Sequence, residues 1–205
     1  MLSILNDSTY EKGLAMETIG ELVPVNKVTL IHGRSGCGKT MSILKYLNTH
    51  NIEPVLIDFD TNDGIDEHVK LNHIDGFKFW DLFLNQYLNN DLREELIKQL
   101  SDKVFVIYTY AMANNYISVS SGKKYDVHSL CTFLLEAGST VIVTAHTVYY
   151  SGKDAQPDVD NVWSNHIGCK LHLHKDILKT KTNYYLEVEK LRGYTGSDVI
   201  NDWMR

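Results

Sequence analysis

The chain has 205 residues and a net charge of −6, a length that suits one domain with a sizeable core better than two. Hydrophobic residues at 43% and charged residues at 22% exclude a disordered or collagen-like polymer, and no run approaches the roughly 18 apolar residues of a membrane-spanning helix. The acidic balance excludes a wholly basic nucleic-acid binder, although a local basic loop on an acidic body still binds phosphates.

In chain order, the N-terminal MLSILNDSTYEKG has no basic stretch leading an apolar one and no small-residue cleavage pattern, so no secretory signal is expected. Val28–His32 (VTLIH) reads as the first strand and Met41–Asn48 as the helix after it. Val55–Phe59 (VLIDF) reads as a second strand, Val104–Tyr108 (VFVIY) as a third and Val141–Ala145 (VIVTA) as a fourth. Continuous apolar runs of this length mark parallel strands covered on both faces. Between the second and third strands, Phe77–Leu100 carries Trp80, Leu82, Phe83, Leu84, Tyr87, Leu88, Leu92, Leu96, Ile97 and Leu100 at roughly helical spacing and reads as a core-facing helix. A helix over Val127–Glu136 stops at Ala137-Gly138. Two closing strands, Leu171–His174 and Tyr184–Lys190, are joined by a polar turn at Lys179–Asn183. Strands alternating with helices predict an α/β fold with a mainly parallel sheet, and the whole of residues 1–205 is expected to form one domain.

The three cysteines, Cys37, Cys131 and Cys169, are odd in number and widely spaced, as in a protein of the reducing cytoplasm. Cys37 stands at a helix N-terminus, where thiols become more acidic, but a small residue filling a tight loop accounts for it equally well. His172 and His174 alternate on one strand face beside Lys170. Without a third ligand at suitable spacing, they do not read as a zinc site. Lys170, Lys175, Lys179 and Lys181 make a loose basic turn, as fitting for a solvated hairpin tip as for contact with a nucleic-acid backbone.

One motif dominates. Gly33-Arg34-Ser35-Gly36-Cys37-Gly38-Lys39-Thr40 matches G-x-x-x-x-G-K-[ST] between an apolar strand and a helix, the context of a Walker A phosphate loop. Its glycines let the backbone curl so that successive N–H groups point at the phosphates, and the helix N-terminus adds partial positive charge. Lys39 then reaches the β- and γ-phosphates while the Thr40 hydroxyl ligates Mg²⁺. ATP with Mg²⁺ is the expected ligand.

Neither a guanine-specific NKxD nor an ABC-type LSGGQ signature is present. The ordered set VLIDFD, VFVIYTYA, VIVTAH and EKLRGYTG resembles the RecA-like P-loop ATPase core shared by RecA-family recombinases, DnaB-type helicases and KaiC-like proteins, over roughly Val28 to Gly196. The resemblance implies a three-layer RecA-like P-loop NTPase core with a mainly parallel central sheet and C-terminal antiparallel strands. It places Asp60 where the family's water-polarising acid stands, His146 at the γ-phosphate sensor, and Lys190 and Arg192 at the positions of fingers that enter a neighbouring subunit's ATP site. A homo-oligomer, ring or filament, follows. The chain departs from the family at Tyr108, which occupies the place of the Mg²⁺-ordering aspartate; a phenol is a poor Mg²⁺ partner. Three accounts are open: an acid such as Asp58 or Asp60 takes over, ATP is bound but hydrolysed slowly, or this copy carries a substitution; weakened hydrolysis is the reading favoured here.

The same resemblance places DNA-binding loops at Ala111–Tyr125, ending in Lys123-Lys124, and at Thr147–His166, where Tyr149, Tyr150 and Trp163 are available for base stacking. The second loop is acidic at Asp154, Asp158 and Asp160, as a solvated loop would be. The leading expectation is an ATPase acting on single-stranded DNA in recombination or replication, encoded by a phage or mobile element and working in the host cytoplasm. A nucleotide-binding scaffold or regulator is the second, favoured by Tyr108. A P-loop small-molecule kinase is the third, although outside the phosphate loop the arginines are only Arg93, Arg192 and Arg205, too few for an arginine-bearing lid.

Overall fold

The computed structural model describes residues 27–60, 65, 67–148, 156–159, 163, 167–177 and 182–191. Strand β1 (Val28–Gly33) runs through the phosphate loop into helix α1 (Lys39–Thr49). Then come β2 (Val55–Asp58), β3 (Asn72–Asp75), α2 (Gly76–Leu88), α3 (Asn90–Leu100), β4 (Val104–Tyr108), α4 (Tyr110–Ser120), α5 (Val127–Glu136) and β5 (Thr140–Val148). The short β6 (Gln156–Pro157) and the long β7 (Ile167–Ile177) and β8 (Thr182–Leu191) close the described chain.

The sheet order is β3-β2-β4-β5-β1-β7-β8, with β6 paired to β5 off this path. Pairing is parallel from β3 through to β7 and antiparallel between β7 and β8 and between β5 and β6. Two apolar cores lie on opposite faces. On one, Ile31, Leu56, Val106, Ile142, Leu171 and Leu173 meet Ile43, Leu44 and Leu47 of α1. On the other, Leu30, Ile57, Phe105, Ile107 and Val143 meet Trp80 and Phe83 of α2, Leu96 and Leu100 of α3, Ala113 and Ile117 of α4, and Leu130 and Leu134 of α5. Helix, sheet and helix thus make the three expected layers, and the alternating burial of neighbouring strand residues on the two faces explains the unbroken apolar runs.

Four sequence expectations change. The helix predicted over Phe77–Leu100 is two helices, because Asn89 ends one and caps the next: its side chain accepts the Asp91 N–H at 3.0 Å. Ahead of it, β3 went unpredicted, since Asn-His-Ile-Asp on a largely exposed edge has no apolar alternation. The loop predicted over Ala111–Tyr125 is mostly helix α4. Tyr110, Ala113 and Ile117 bury one face of it, and Asn114, a residue expected in loops, uses its side-chain oxygen to accept the Val127 N–H at 3.3 Å. Only the turn 121–125 remains, with Lys123 and Lys124 exposed.

The fourth change concerns Trp163. Rather than standing ready to stack on bases, it is buried, its ring edge-on to Tyr110 at 5.0 Å. A large apolar surface gains more from core contact than from solvent exposure. Strand β5 also extends through Thr147 and Val148 into the predicted second loop, and Asp158 N–H donates to the His146 carbonyl at 2.7 Å. Tyr149, Tyr150, Asp154, Asp160 and most of the turn at Lys179–Asn183 lie outside the described residues, as does Arg192.

Candidate nucleotide-binding site

Parallel pairing brings the C-terminal ends of β1, β2, β4 and β5 to one edge of the sheet, the edge where open α/β sheets bind ligands. The register sets Gly33 beside His146 and Asp58 beside Tyr108. Because β5 lies between β1 and β4, its end stands between the phosphate loop and the Tyr108 position.

The loop itself has the curl that the motif requires. Gly36 and Gly38 take positive φ of 68° and 83°, the left-handed region that a side chain disfavours. Cys37 N–H donates to the Arg34 carbonyl at 3.3 Å, and α1 begins at Lys39 with no side-chain cap on its first turn. Those first N–H groups are the ones a helix leaves without internal partners. Lys39 and Thr40 are buried beneath the loop. The Lys39 ammonium donates to the carbonyls of Gly33 and Arg34, each at 3.0 Å, so it is held at the loop's centre. Burial pulls its pKa below the usual lysine range, with Cys37 opposing. Cys37 is buried in the α1-side core, in keeping with a small residue that fills the loop.

Around the loop stand the other candidates. His146 is half-buried, and its Nδ1 is enclosed without a hydrogen-bond partner among the described residues. Burial and then the Lys39 charge lower its pKa, while Asp60 and Asp158 pull the other way. His146 therefore feels the charges of both Lys39 and Asp60, and it is neutral at pH 7. Asp60 is exposed. Tyr108 is half-buried; burial, then Asp60, Asp58 and Cys37, raise its pKa, so the phenol stays protonated beside two carboxylates.

Asp58 is engaged elsewhere. Its Oδ1 accepts the Asp60 N–H at 2.8 Å and its Oδ2 meets His73 Nε2 at 3.1 Å. This pairing went unforeseen because His73 lies on the unpredicted strand β3. Lys190 lies on β8, opposite Lys170, away from the edge that gathers Lys39, Asp60 and His146.

The solved structure of the KaiC-like protein PH0186 from the hyperthermophilic archaeon Pyrococcus horikoshii OT3 superposes on this chain with a TM-score of 0.57 over 87% of each chain, at 20% sequence identity. The chain has the RecA-like fold. No protein-family model and no curated protein matches the sequence. Within the RecA-like fold, the donors at the sheet edge suit a nucleotide: uncapped amides and a buried ammonium for phosphate oxygens, and the Thr40 hydroxyl and Asp60 carboxylate as hard oxygen ligands of the kind Mg²⁺ takes.

Proposed function

We propose that this protein is a RecA-like ATPase that binds ATP with Mg²⁺ at Gly33–Thr40 and acts on single-stranded DNA in recombination or replication, as a phage or mobile-element product in the host cytoplasm. The observation that carries the nucleotide reading is the buried Lys39 held at the uncapped start of α1, with the neutral His146 near enough to feel both its charge and that of the exposed Asp60. In this reading Lys39 neutralises the terminal phosphates and Thr40 with Asp60 holds Mg²⁺, which would supply charge stabilisation at the phosphoryl oxygens. Asp60 also orients the attacking water. His146, whose buried Nδ1 has no partner among the described residues, senses the γ-phosphate. The exposed Lys123 and Lys124 in the turn after α4 support a phosphate-backbone contact.

ATP hydrolysis measured with and without single-stranded DNA tests the whole reading. Stimulation by DNA supports it, and hydrolysis indifferent to DNA removes the DNA part. The scaffold or regulator reading is favoured by two features: a protonated phenol at Tyr108 and an Asp58 already committed to His73 and the Asp60 amide. Both features slow hydrolysis. Tyr108→Asp is expected to raise steady-state phosphate release by at least about tenfold, since a carboxylate restores charge beside the metal. An unchanged rate in a folded variant means that Asp58 or Asp60 already performs that work.

One domain over residues 1–205 assembles head to tail in this proposal, so that Lys190 and Arg192 complete a neighbour's ATP site. Mixing Lys39→Ala subunits, which keep their fingers, with Arg192→Ala subunits, which keep their phosphate loop, is expected to recover activity that neither variant has alone. No recovery at any ratio, with a monomeric mass in ATP, counts against fingers acting in trans.

A further inference from the structure

A second polar cluster lies away from the phosphate loop, on the sheet face that carries α2–α5, where β1, β7 and β8 run side by side. His32 on β1 pairs in register with His172 on β7. Between β7 and β8 the register slips at Lys170/Leu171: Lys170 opposes Lys190 and Leu171 opposes Val188, which leaves Glu189 as the extra residue of a β-bulge. Bulges re-aim side chains, and this one brings the Glu189 carboxylate to both histidines. Its Oε2 is 3.0 Å from His32 Nε2, and its Oε1 is 3.4 Å from His172 Nδ1. One donor atom from each of the three residues lies within 4.8 Å of the other two.

The state of His32 is what an ion pair alone leaves unexplained. Its side chain is fully buried, and its Nδ1 lies 2.9 Å from the Thr147 hydroxyl. In the tautomer whose Nδ1–H donates to that hydroxyl, the Nε2 lone pair faces a carboxylate; an ion pair alone needs the other form, with Nε2–H toward Glu189 and the hydroxyl donating to Nδ1. Nε2 has no aligned hydrogen bond despite the 3.0 Å contact, an orphan of a kind that native interiors rarely keep. A cation between the two acceptors removes the conflict.

The spacing is close. Around a tetrahedral ion with bonds of about 2.0–2.1 Å, ligand atoms stand about 3.3 Å apart; His32 and His172 approach different oxygens of Glu189, at 3.0 and 3.4 Å, and one donor atom from each residue lies within 4.8 Å of the others, so a modest inward shift of the three brings them to that spacing. Two imidazoles with a carboxylate make a borderline donor set, which takes zinc-class ions in preference to Mg²⁺ or Ca²⁺. The outer contacts are also those of metal sites, with the Thr147 hydroxyl hydrogen-bonded to His32 Nδ1 and the Lys170 ammonium holding Glu189 Oε2 at 2.7 Å. Glu189 and Lys170, each about one-fifth exposed, give an ion access from solvent.

We propose that His32, His172 and Glu189 form a site for a zinc-class divalent ion, with water completing the shell. The ion fastens the β7–β8 hairpin to the strand that leads into the phosphate loop, because His32 immediately precedes Gly33. The site does not depend on ATP, so its test is kept separate from that of the nucleotide reading.

Full-length protein stripped by chelator is titrated without nucleotide, with Zn²⁺ by calorimetry and with Co²⁺ by visible absorption. The expected result is one equivalent bound, the d–d bands of low-symmetry Co²⁺, and no response to Mg²⁺. Because loss of an outer-shell partner alone costs about 10- to 100-fold in affinity, His172→Ala and Glu189→Gln are expected to weaken binding by more than about 100-fold, while the surface variant His50→Ala leaves it unchanged. Lys39→Ala is expected to bind zinc as the parent does, whatever becomes of its ATP affinity. Should the ligand variants not fold, zinc added to the parent shifts the His32 and His172 imidazole resonances. Absent Co²⁺ bands, bands that survive in folded His172→Ala and Glu189→Gln, or imidazole resonances unmoved by zinc overturn the proposal and leave the cluster an ion pair only.

Discussion

Lys39→Ala is expected to abolish measurable ATP binding in calorimetry while the protein stays folded. The ammonium is buried and already held at the loop's centre by the Gly33 and Arg34 carbonyls, each at 3.0 Å, so it needs little rearrangement to meet an incoming phosphate. Burial lowers its pKa, and a polyanion beside it favours the charged form, so binding and lysine charge reinforce each other. Truncating one partner of such a charge pair costs about 2–4 kcal/mol, roughly 30- to 700-fold in Kd. A variant that binds ATP as tightly as the parent, with an unchanged melting curve, refutes the nucleotide site at Gly33–Thr40.

Gly33→Ala is expected to damage stability and nucleotide binding together. A Cβ at this position meets the Leu173 carbonyl oxygen of β7 at 2.5 Å and Cys37 Sγ at 2.8 Å. The first is backbone in a paired strand and the second is buried in the loop, so neither gives way as a flexible side-chain tip would. Overpacking of this kind costs about 1–3 kcal/mol and occasionally more. With β1/β7 pairing disturbed as well, the upper end applies, a fall in Tm of roughly 6–12 °C for a chain of this size. Thermal melts followed by circular dichroism measure it. An unchanged Tm means that β7 does not lie against the phosphate loop as described. Gly36→Ala separates space from conformation: nothing lies within 4 Å of its Cβ, but φ is +68°, so its smaller loss comes from backbone strain alone.

The difference between these two glycines marks how much was legible in the chain. Both lie in the phosphate loop, where the motif fixes glycine at position 33 and leaves position 36 open, and a reading of the sequence assigns both to the needs of the turn. At Gly36 that is the reason found in the structure. At Gly33 the decisive neighbour is Leu173, which sits on a strand from the far end of the chain, and no local pattern reports such a contact.

The same division runs through the fold and the site. The apolar runs of β1, β2, β4 and β5 and the phosphate-loop motif were readable because burial on both faces of a sheet leaves a continuous local record, and because the loop's turn, lysine and helix start are contiguous. Strand β3 left no such record, being a polar edge held by backbone pairing to β2. Helix α4 was hidden because its burying residues, Tyr110, Ala113 and Ile117, are diluted by polar neighbours, and packing against the sheet outweighs weak helical propensity. Trp163 buries its ring against Tyr110 because apolar area gains most from core contact, whatever its neighbours in sequence suggest.

By itself, then, the sequence determined the layered α/β plan and the phosphate loop. The tertiary structure decided which charges meet: His146 with Lys39 and with Asp60, Asp58 with His73, and Glu189 with His32 and His172. Electrostatic partners are chosen by which strands lie side by side and in what register, and a single-residue bulge between β7 and β8 is enough to redirect a carboxylate that the sequence alone leaves without a partner.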